Sequence, residues 1–255
     1  MKLVLDIRKS VEENAAEYFE KAKKAKKKLK GAKKALEKSK EKLKKIEKKE
    51  IVFEEPKIKK IKKREWFEKF RWFVSSDGFL VLGGRDATTN EIVVKKYTDK
   101  NDLVFHTDMA GSPFVVVKSE GKSIPKTTIQ EAADFTADFS RGWKQGMSTL
   151  DVFYVNPEQV SKEANPGEYM PKGAFMIRGK TNYVTPNINL AVSIYKDKAM
   201  AGPVSAIKKH CKEYVEIVQG EKKTSEVAKK IQKKIGGDLD EIIRALPAGG
   251  CEIKN

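Results

Sequence analysis

The chain has 255 residues, with 53 Lys and Arg against 36 Asp and Glu, a net charge of +17. That length holds one sizeable domain plus an appendage. Two distant cysteines without a CxxC, and only two histidines, exclude a disulfide framework, a zinc site and a histidine-rich metal centre; no apolar run approaches the ~20 residues that span a bilayer.

The charge is uneven. Residues 1–65 carry 25 Lys and Arg against 12 Asp and Glu, net +13, whereas the remaining 190 carry 28 against 24, net +4. A basic arm of this kind attracts nucleic acid through counterion release, or an anionic membrane through its surface potential, where it is not simply a solvated Lys-rich helix face; nucleic acid is the leading reading. The opening MKLVLDIRKS has too short an apolar stretch for a signal peptide. With unpaired cysteines, this fits a reducing, cytosolic compartment and no membrane partner.

Along the arm, apolar or small residues recur at alternating steps of four and three: Val11, Ala15, Tyr18, Ala22, Ala25, Leu29, Ala32, Leu36, Ser39, Leu43 and Ile46. This heptad seam predicts one helix over about 9–50, roughly 60 Å long at ~1.5 Å per residue. Ser10 is its expected N-cap, and Glu13 completes a capping box. An Ala-rich seam buries little by itself. Its partner strand is expected to be either a second copy or a preceding helix of a longer protein. Pro56 then ends any helix, and 56–65 reads as a linker after an arm over 1–55.

From Trp66 the pattern becomes α+β, a mixed sheet with helices. WFEKFRWF reads as a short amphipathic or extended entry. GFLVLGG, EIVVKKY, DLVFHT and PFVVVK read as four strands separated by turns. IQEAADFTADFSRGWKQ carries a helical apolar face, with Thr127 or Thr128 as cap and Glu131 in support. DVFYVN, GAFMIRGKTNYV, LAVSIYK and YVEIVQG read as further strands. SEVAKKIQKKI and DLDEIIRAL read as helices ended by Gly236-Gly237 and Pro247. The expected division is 66–186 as one domain and 187–255 as a C-terminal α+β extension.

The GGRD corner, Gly83–Asp86, lacks the spacing of a phosphate loop. Its glycines either permit a strand-end bulge or let a ligand approach the backbone. On the second reading Arg85 faces the ligand while Asp86 and Asn90 orient it. His106 beside Asp102 and Asp108 raises general-base chemistry. On a strand, however, Asp102 and His106 stand about 13 Å apart. No nucleophile elbow, metal-ligand set or cofactor motif accompanies them. Arg71, Lys95, Lys96, Lys118, Lys126 and Arg178 add cations at strand ends and loops, and Trp66, Phe70, Trp72 and Trp143 add rings. Cations mixed with stacking planes are what RNA-binding surfaces use, although a ring beside a strand more often belongs to the core.

Taken together, EKFRWF, SSDGFLV, GGRDATTNE, KKY and DLVFHTDMAGSP closely resemble the RNA-binding module of the NFACT family over about residues 64–184. LDIRKSVEENAAEYFEKAKKAKKK resembles the start of that family's second coiled-coil helix, and ALPAGGCEI the tail of its archaeal members. The resemblance implies a ribosome-associated quality control factor that docks on large ribosomal subunits obstructed by peptidyl-tRNA, recruits tRNA and is not an enzyme. The RNA-binding surface for tRNA or rRNA is expected at Arg71, Arg85, Asp86, Asn90, Lys95, Lys96, His106, Lys118, Lys126 and Arg178. The coiled coil would be completed by the N-terminal part of the same factor or by a second copy. The alternatives are an RNA-processing nuclease or hydrolase using Asp102, His106 and Asp108, and a surface adhesin.

Overall fold

A computed structural model describes residues 4–47, 64–148, 150–164, 167 and 169–254. It divides into two compact units, Met1–Lys63 and Arg64–Asn255. The expected linker at 56–63, and the side chain of the expected seam residue Ile46, lie outside the described residues.

Among its described residues the first unit holds one helix, α1 (Val11–Glu47). The capping box forms as its sequence predicts. Ser10 Oγ accepts from the Glu13 N–H at 3.2 Å, and the Glu13 carboxylate accepts from the Ser10 N–H at 2.8 Å. Residues before the cap fold back along the first turns. Asn14, buried there, accepts from the Asp6 N–H at 2.9 Å and donates to the carbonyls of Asp6 and Ser10 at 3.0 and 2.9 Å. The Tyr18 hydroxyl donates to the Val4 carbonyl at 2.7 Å. Leu29, Leu36 and Leu43 of the seam are each more than half exposed.

The second unit runs in chain order as follows. A 3-10 turn (Trp66–Lys69) leads into β1 (Arg71–Val74), β2 (Leu80–Gly83), α2 (Ala87–Lys96), β3 (Leu103–Thr107), β4 (Val115–Val117), α3 (Lys126–Asp138) and α4 (Arg141–Lys144). Then come β5 (Val152–Val155), β6 (Val160–Ser161), β7 (Met176–Ile177), β8 (Asn182–Val184), β9 (Leu190–Tyr195) and β10 (Lys198–Pro203). The chain closes with α5 (Val204–His210), β11 (Tyr214–Gln219), α6 (Thr224–Ile235), α7 (Leu239–Ala245) and β12 (Cys251–Ile253).

Six strands form an antiparallel sheet in the order β1-β2-β4-β3-β5-β8, and four form a second in the order β10-β9-β11-β12. Helix α3 packs on the larger sheet through Phe135, whose ring lies 4.8 Å from that of Phe73. The α+β class expected from the sequence is what the chain adopts. The two sheets share one core. A Cβ on Gly202 of β10 would meet the Phe73 ring at 2.8 Å, so the glycine allows β10 to press against β1. Across the position near 186 where the sequence suggests a boundary, His210 Nε2 meets the Ser75 carbonyl at 2.7 Å and Ser205 donates to Glu131 at 2.7 Å.

Four local expectations are corrected. EIVVKKY is not a strand but most of α2, because Asp86 caps it: its carboxylate accepts from the Thr89 N–H at 2.8 Å. The cap outweighs the β-branched run Ile92-Val93-Val94, of which Val93 is buried. GAFMIRGKTNYV is two strands, β7 on β6 and β8 on β5. Neither Thr127 nor Thr128 caps α3, which starts after Pro125; Thr128 instead donates its hydroxyl to Ser75 and Asp77 at 2.9 and 2.8 Å. Glu131 accepts from the Ser76 N–H at 2.8 Å rather than supporting that cap. The short elements β10, α5 and β12 have no counterpart in the sequence reading. Their segments are small-residue, lysine-rich or terminal, and show no clear period.

Candidate nucleic-acid interface

At the GGRD corner the glycines make room for packing. A Cβ on Gly83 would meet Phe135 at 2.9 Å, and one on Gly84 would sit 1.8 Å from the Asn90 amide oxygen. That oxygen accepts from the Phe114 N–H at 3.1 Å, so Asn90 ties α2 to the approach of β4. Arg85 donates to three main-chain carbonyls: Phe70 at 2.8 Å, Lys69 at 3.2 Å and Arg244 at 2.5 Å. Arg71 donates from Nη1 to the Gly84 carbonyl at 2.8 Å and lies 4.9 Å over the Phe139 ring. Burial lowers both guanidiniums to about 10, with mutual repulsion adding to the effect on Arg71, and Arg244 on Arg85. Asp86 caps α2.

Lys118 donates to the Tyr97 carbonyl at 2.9 Å and pairs with Asp99 at 2.6 Å and with Asp102. Asp102 also accepts from the N–H groups of Asp99 and Ser119, at 2.7 and 2.8 Å, and is buried. Its carboxylate is thus taken up by Lys118 and the main chain rather than by His106. His106 Nδ1 lies 2.6 Å from the Thr107 carbonyl, which places the proton on that nitrogen, and its ring lies 4.3 Å from Phe114. Burial lowers its pKa below the ordinary value, so the imidazole is neutral at pH 7. Asp108 instead accepts from the Tyr183 hydroxyl, 3.2 Å away. The Asp-His-Asp trio forms no acid–base pair. Among the described residues, no group of three His, Cys, Asp or Glu is placed to hold a metal ion.

Lys95, Lys96, Lys126 and Arg178 are exposed. Two of them lie around one composite surface. The β6–β7 hairpin leans on α2: a Cβ on Gly173 would meet Ala87 Cα at 2.5 Å, and Lys162 reaches Glu91 at 3.7 Å. Lys95 pairs with the same Glu91 at 2.7 Å. Arg178 follows β7 and donates to the Glu163 carbonyl at 3.2 Å. Tyr169, 88% exposed, projects from the same hairpin. On the larger sheet His106, Phe153 and Tyr183 stand in cross-strand register, with Tyr183 58% exposed at the edge strand. Of the four rings proposed from sequence, Phe70, Trp72 and Trp143 are core and Trp66 is 45% exposed. Tyr169 and Tyr183 were missed. Tyr169 stands in a Pro/Gly-containing loop, a signal that could have marked it.

This geometry belongs to an RNA-binding domain: residues 69–179 match the family described as NFACT protein RNA binding domain. The chain belongs to the NFACT family, corresponding to the C-terminal part of its members. It is similar to the archaeal Rqc2 homolog aRqcH of Methanocaldococcus jannaschii, 44% identical over 205 residues that cover 76% of this chain and 30% of that protein. It is also similar to the human ribosome quality control complex subunit NEMF, 43% identical over 131 residues covering 51% of this chain and 12% of that one. The chain thus spans less than a third of the length of either relative. Among solved structures, the C-terminal part of the fibronectin/fibrinogen-binding protein from Streptococcus suis aligns at a TM-score of 0.40 and 25% identity, over 51% of this chain and 49% of that one. No helix among the described residues is long and apolar enough to cross a membrane.

Proposed function

We propose that this chain is the RNA-binding, ribosome-docking part of a ribosome-associated quality control factor, and that it performs no chemistry of its own. It recognises large ribosomal subunits obstructed by peptidyl-tRNA and contributes to tRNA recruitment. The supporting observation is the matched RNA-binding domain bearing exposed cations on α2, Lys95 and Lys96, and Arg178 after the β6–β7 hairpin, with the half-buried Lys162 between them. Lys126 and the edge ring Tyr183 extend the contact. Arg71, Arg85, Asn90 and Lys118 hold the scaffold from which these groups project. The half-exposed leucines of α1 pair with a helix of the same factor's N-terminal part, or with a second copy.

The test is retention of tRNA and of large subunits across a salt series. Replacing Lys95, Lys96 and Arg178 together with Gln should lower the slope of log K against log salt by about 2.1–2.7, since each lost phosphate contact removes ~0.7–0.9. A slope unchanged by the triple substitution, or no retention at ~50 mM salt where phosphate contacts are strong, refutes the assignment.

A further inference from the structure

A cleft of about 620 Å³ opens beside the GGRD corner, walled by the 3-10 turn, β1, the start of α2, β10 and α7. That volume suits one small ligand. Arg64, Lys69, Arg71, Arg85 and Arg244 all line it. Among the described residues, none of these five forms an ion pair with a carboxylate. The acids of the cleft are already engaged. Glu68 and Glu65 hold Lys198 at 2.5 and 3.9 Å, Asp86 caps α2, and Glu241 accepts from the Ala199 N–H at 3.4 Å.

Within this wall Arg71 is nearly enclosed, and its Nε has no hydrogen-bond partner. Buried cations ordinarily come with a counter-charge, because desolvating one without compensation is costly. Here a neighbouring guanidinium, Arg85 beside Arg71 and Arg244 beside Arg85, lowers each pKa further, and the charge of Asp86 offsets this only in part. Six cations line the cleft against four carboxylates, an excess of positive charge that a bound anion would offset. The cleft also has a stacking plane at its mouth. Trp66 stacks on Tyr97 with centroids 4.8 Å apart and planes 7° from parallel, while 45% of it stays exposed. One ring face is backed and the residue still meets solvent, which is how aromatic platforms present themselves to a base.

We propose that this cleft binds a single nucleoside phosphate, the phosphate held by Arg64, Arg71 and Arg244 and the base stacked on Trp66. The same chemistry is offered by a free mononucleotide and by one everted nucleotide of an RNA chain. The site stands whether or not the α2 surface binds RNA, because it uses different side chains.

Titrating the whole chain with AMP, adenosine, inorganic phosphate and an oligoadenylate lacking terminal phosphates tests it by calorimetry and tryptophan fluorescence. Trp66 and Trp72 both line the cleft and report directly. AMP should bind with Kd between about 10 μM and 1 mM, the range open to a ligand of its size. Adenosine and inorganic phosphate should each be at least tenfold weaker. Arg244→Gln should weaken AMP at least fivefold while leaving adenosine unchanged, and Trp66→Leu should weaken both. Both side chains are exposed, and it is the carbonyl of Arg244, not its guanidinium, that receives Arg85, so both variants should melt like the parent.

Oligoadenylate binding tighter than AMP assigns the site to an RNA nucleotide; the reverse order assigns it to a free nucleotide. Phosphate binding as tightly as AMP overturns the proposal, as does silence from both AMP and the oligomer at ~1 mM, the weak end of the expected range. Either failure leaves tRNA retention by the α2 surface untouched, so the two readings fail separately.

Discussion

Replacing Arg85 with Ala should unfasten the RNA-binding domain before it affects RNA. The side chain makes one part-buried bond to the Phe70 carbonyl and two more exposed ones to Lys69 and Arg244. A charge-assisted bond in the first environment contributes about 1.5–3 kcal/mol, and each exposed bond, whose carbonyl can turn to water, about 0.5–1.5. Removing a cation whose pKa is pulled down to about 10 by burial returns part of that sum. The net expectation is a loss of about 2–4 kcal/mol, which in a unit of this size lowers Tm by roughly 4–16 °C. Thermal and urea melts of the two proteins measure it. Arg85→Lys should recover little, since one ammonium cannot reproduce a planar fork aimed at three carbonyls. If Arg85→Ala melts within about a degree of the parent yet loses tRNA retention, Arg85 is an RNA contact and the clamp argument is wrong.

Asp138 is fully buried, with only the Asn189 N–H near its carboxylate and no well-formed hydrogen bond, and desolvation, with Asp134 adding, holds its pKa well above the ordinary value. A raised carboxyl pKa makes stability fall as pH rises from the unfolded-state value toward the folded one, by about 1.4 kcal/mol per pH unit. Asp138→Asn should therefore gain on the parent steadily from about pH 4 upward; denaturant midpoints at several pH values that stay parallel would contradict this. Asn14→Ala should free the residues ahead of α1, costing about 1–3 kcal/mol locally, visible as faster amide exchange at Asp6 with Leu29 unaffected. Leu36→Asp should abolish any concentration-dependent association of the chain in sedimentation; association unaltered by it would mean that the seam is not the contact.

Elements with a strong period or a specific cap were legible in the sequence. The Ser10–Glu13 box placed the start of α1, and alternating or continuous apolar runs placed β2, β3, β5, β9 and β11. Glu91–Tyr97 misled because three β-branched residues in a row have strand propensity, whereas the decisive group was Asp86, five residues earlier. The residue types of the candidate site were visible, but their exposure was not. Lys95 and Lys118 look alike in one dimension. Asp102 and Asp99 enclose the second, while the first meets a single carboxylate at the surface. Likewise nothing local says that Arg85 will be taken up by a carbonyl 159 positions away.

That distant carbonyl bears on how the molecule acquires its shape. Arg85 reaches Arg244 across 159 residues, His210 reaches Ser75 across 135, and Trp143 donates to the Gly250 carbonyl across 107. Such contacts form only after long loops have closed, which slows folding. The GGRD corner is translated well ahead of α7, yet its guanidinium has no third acceptor until α7 exists. A chain grown only as far as α5 would carry the basic surface on an unfinished scaffold, with the β9 edge still waiting for β11 and open to other chains. Binding competence should therefore arrive all at once, when the segment from β11 to β12 docks.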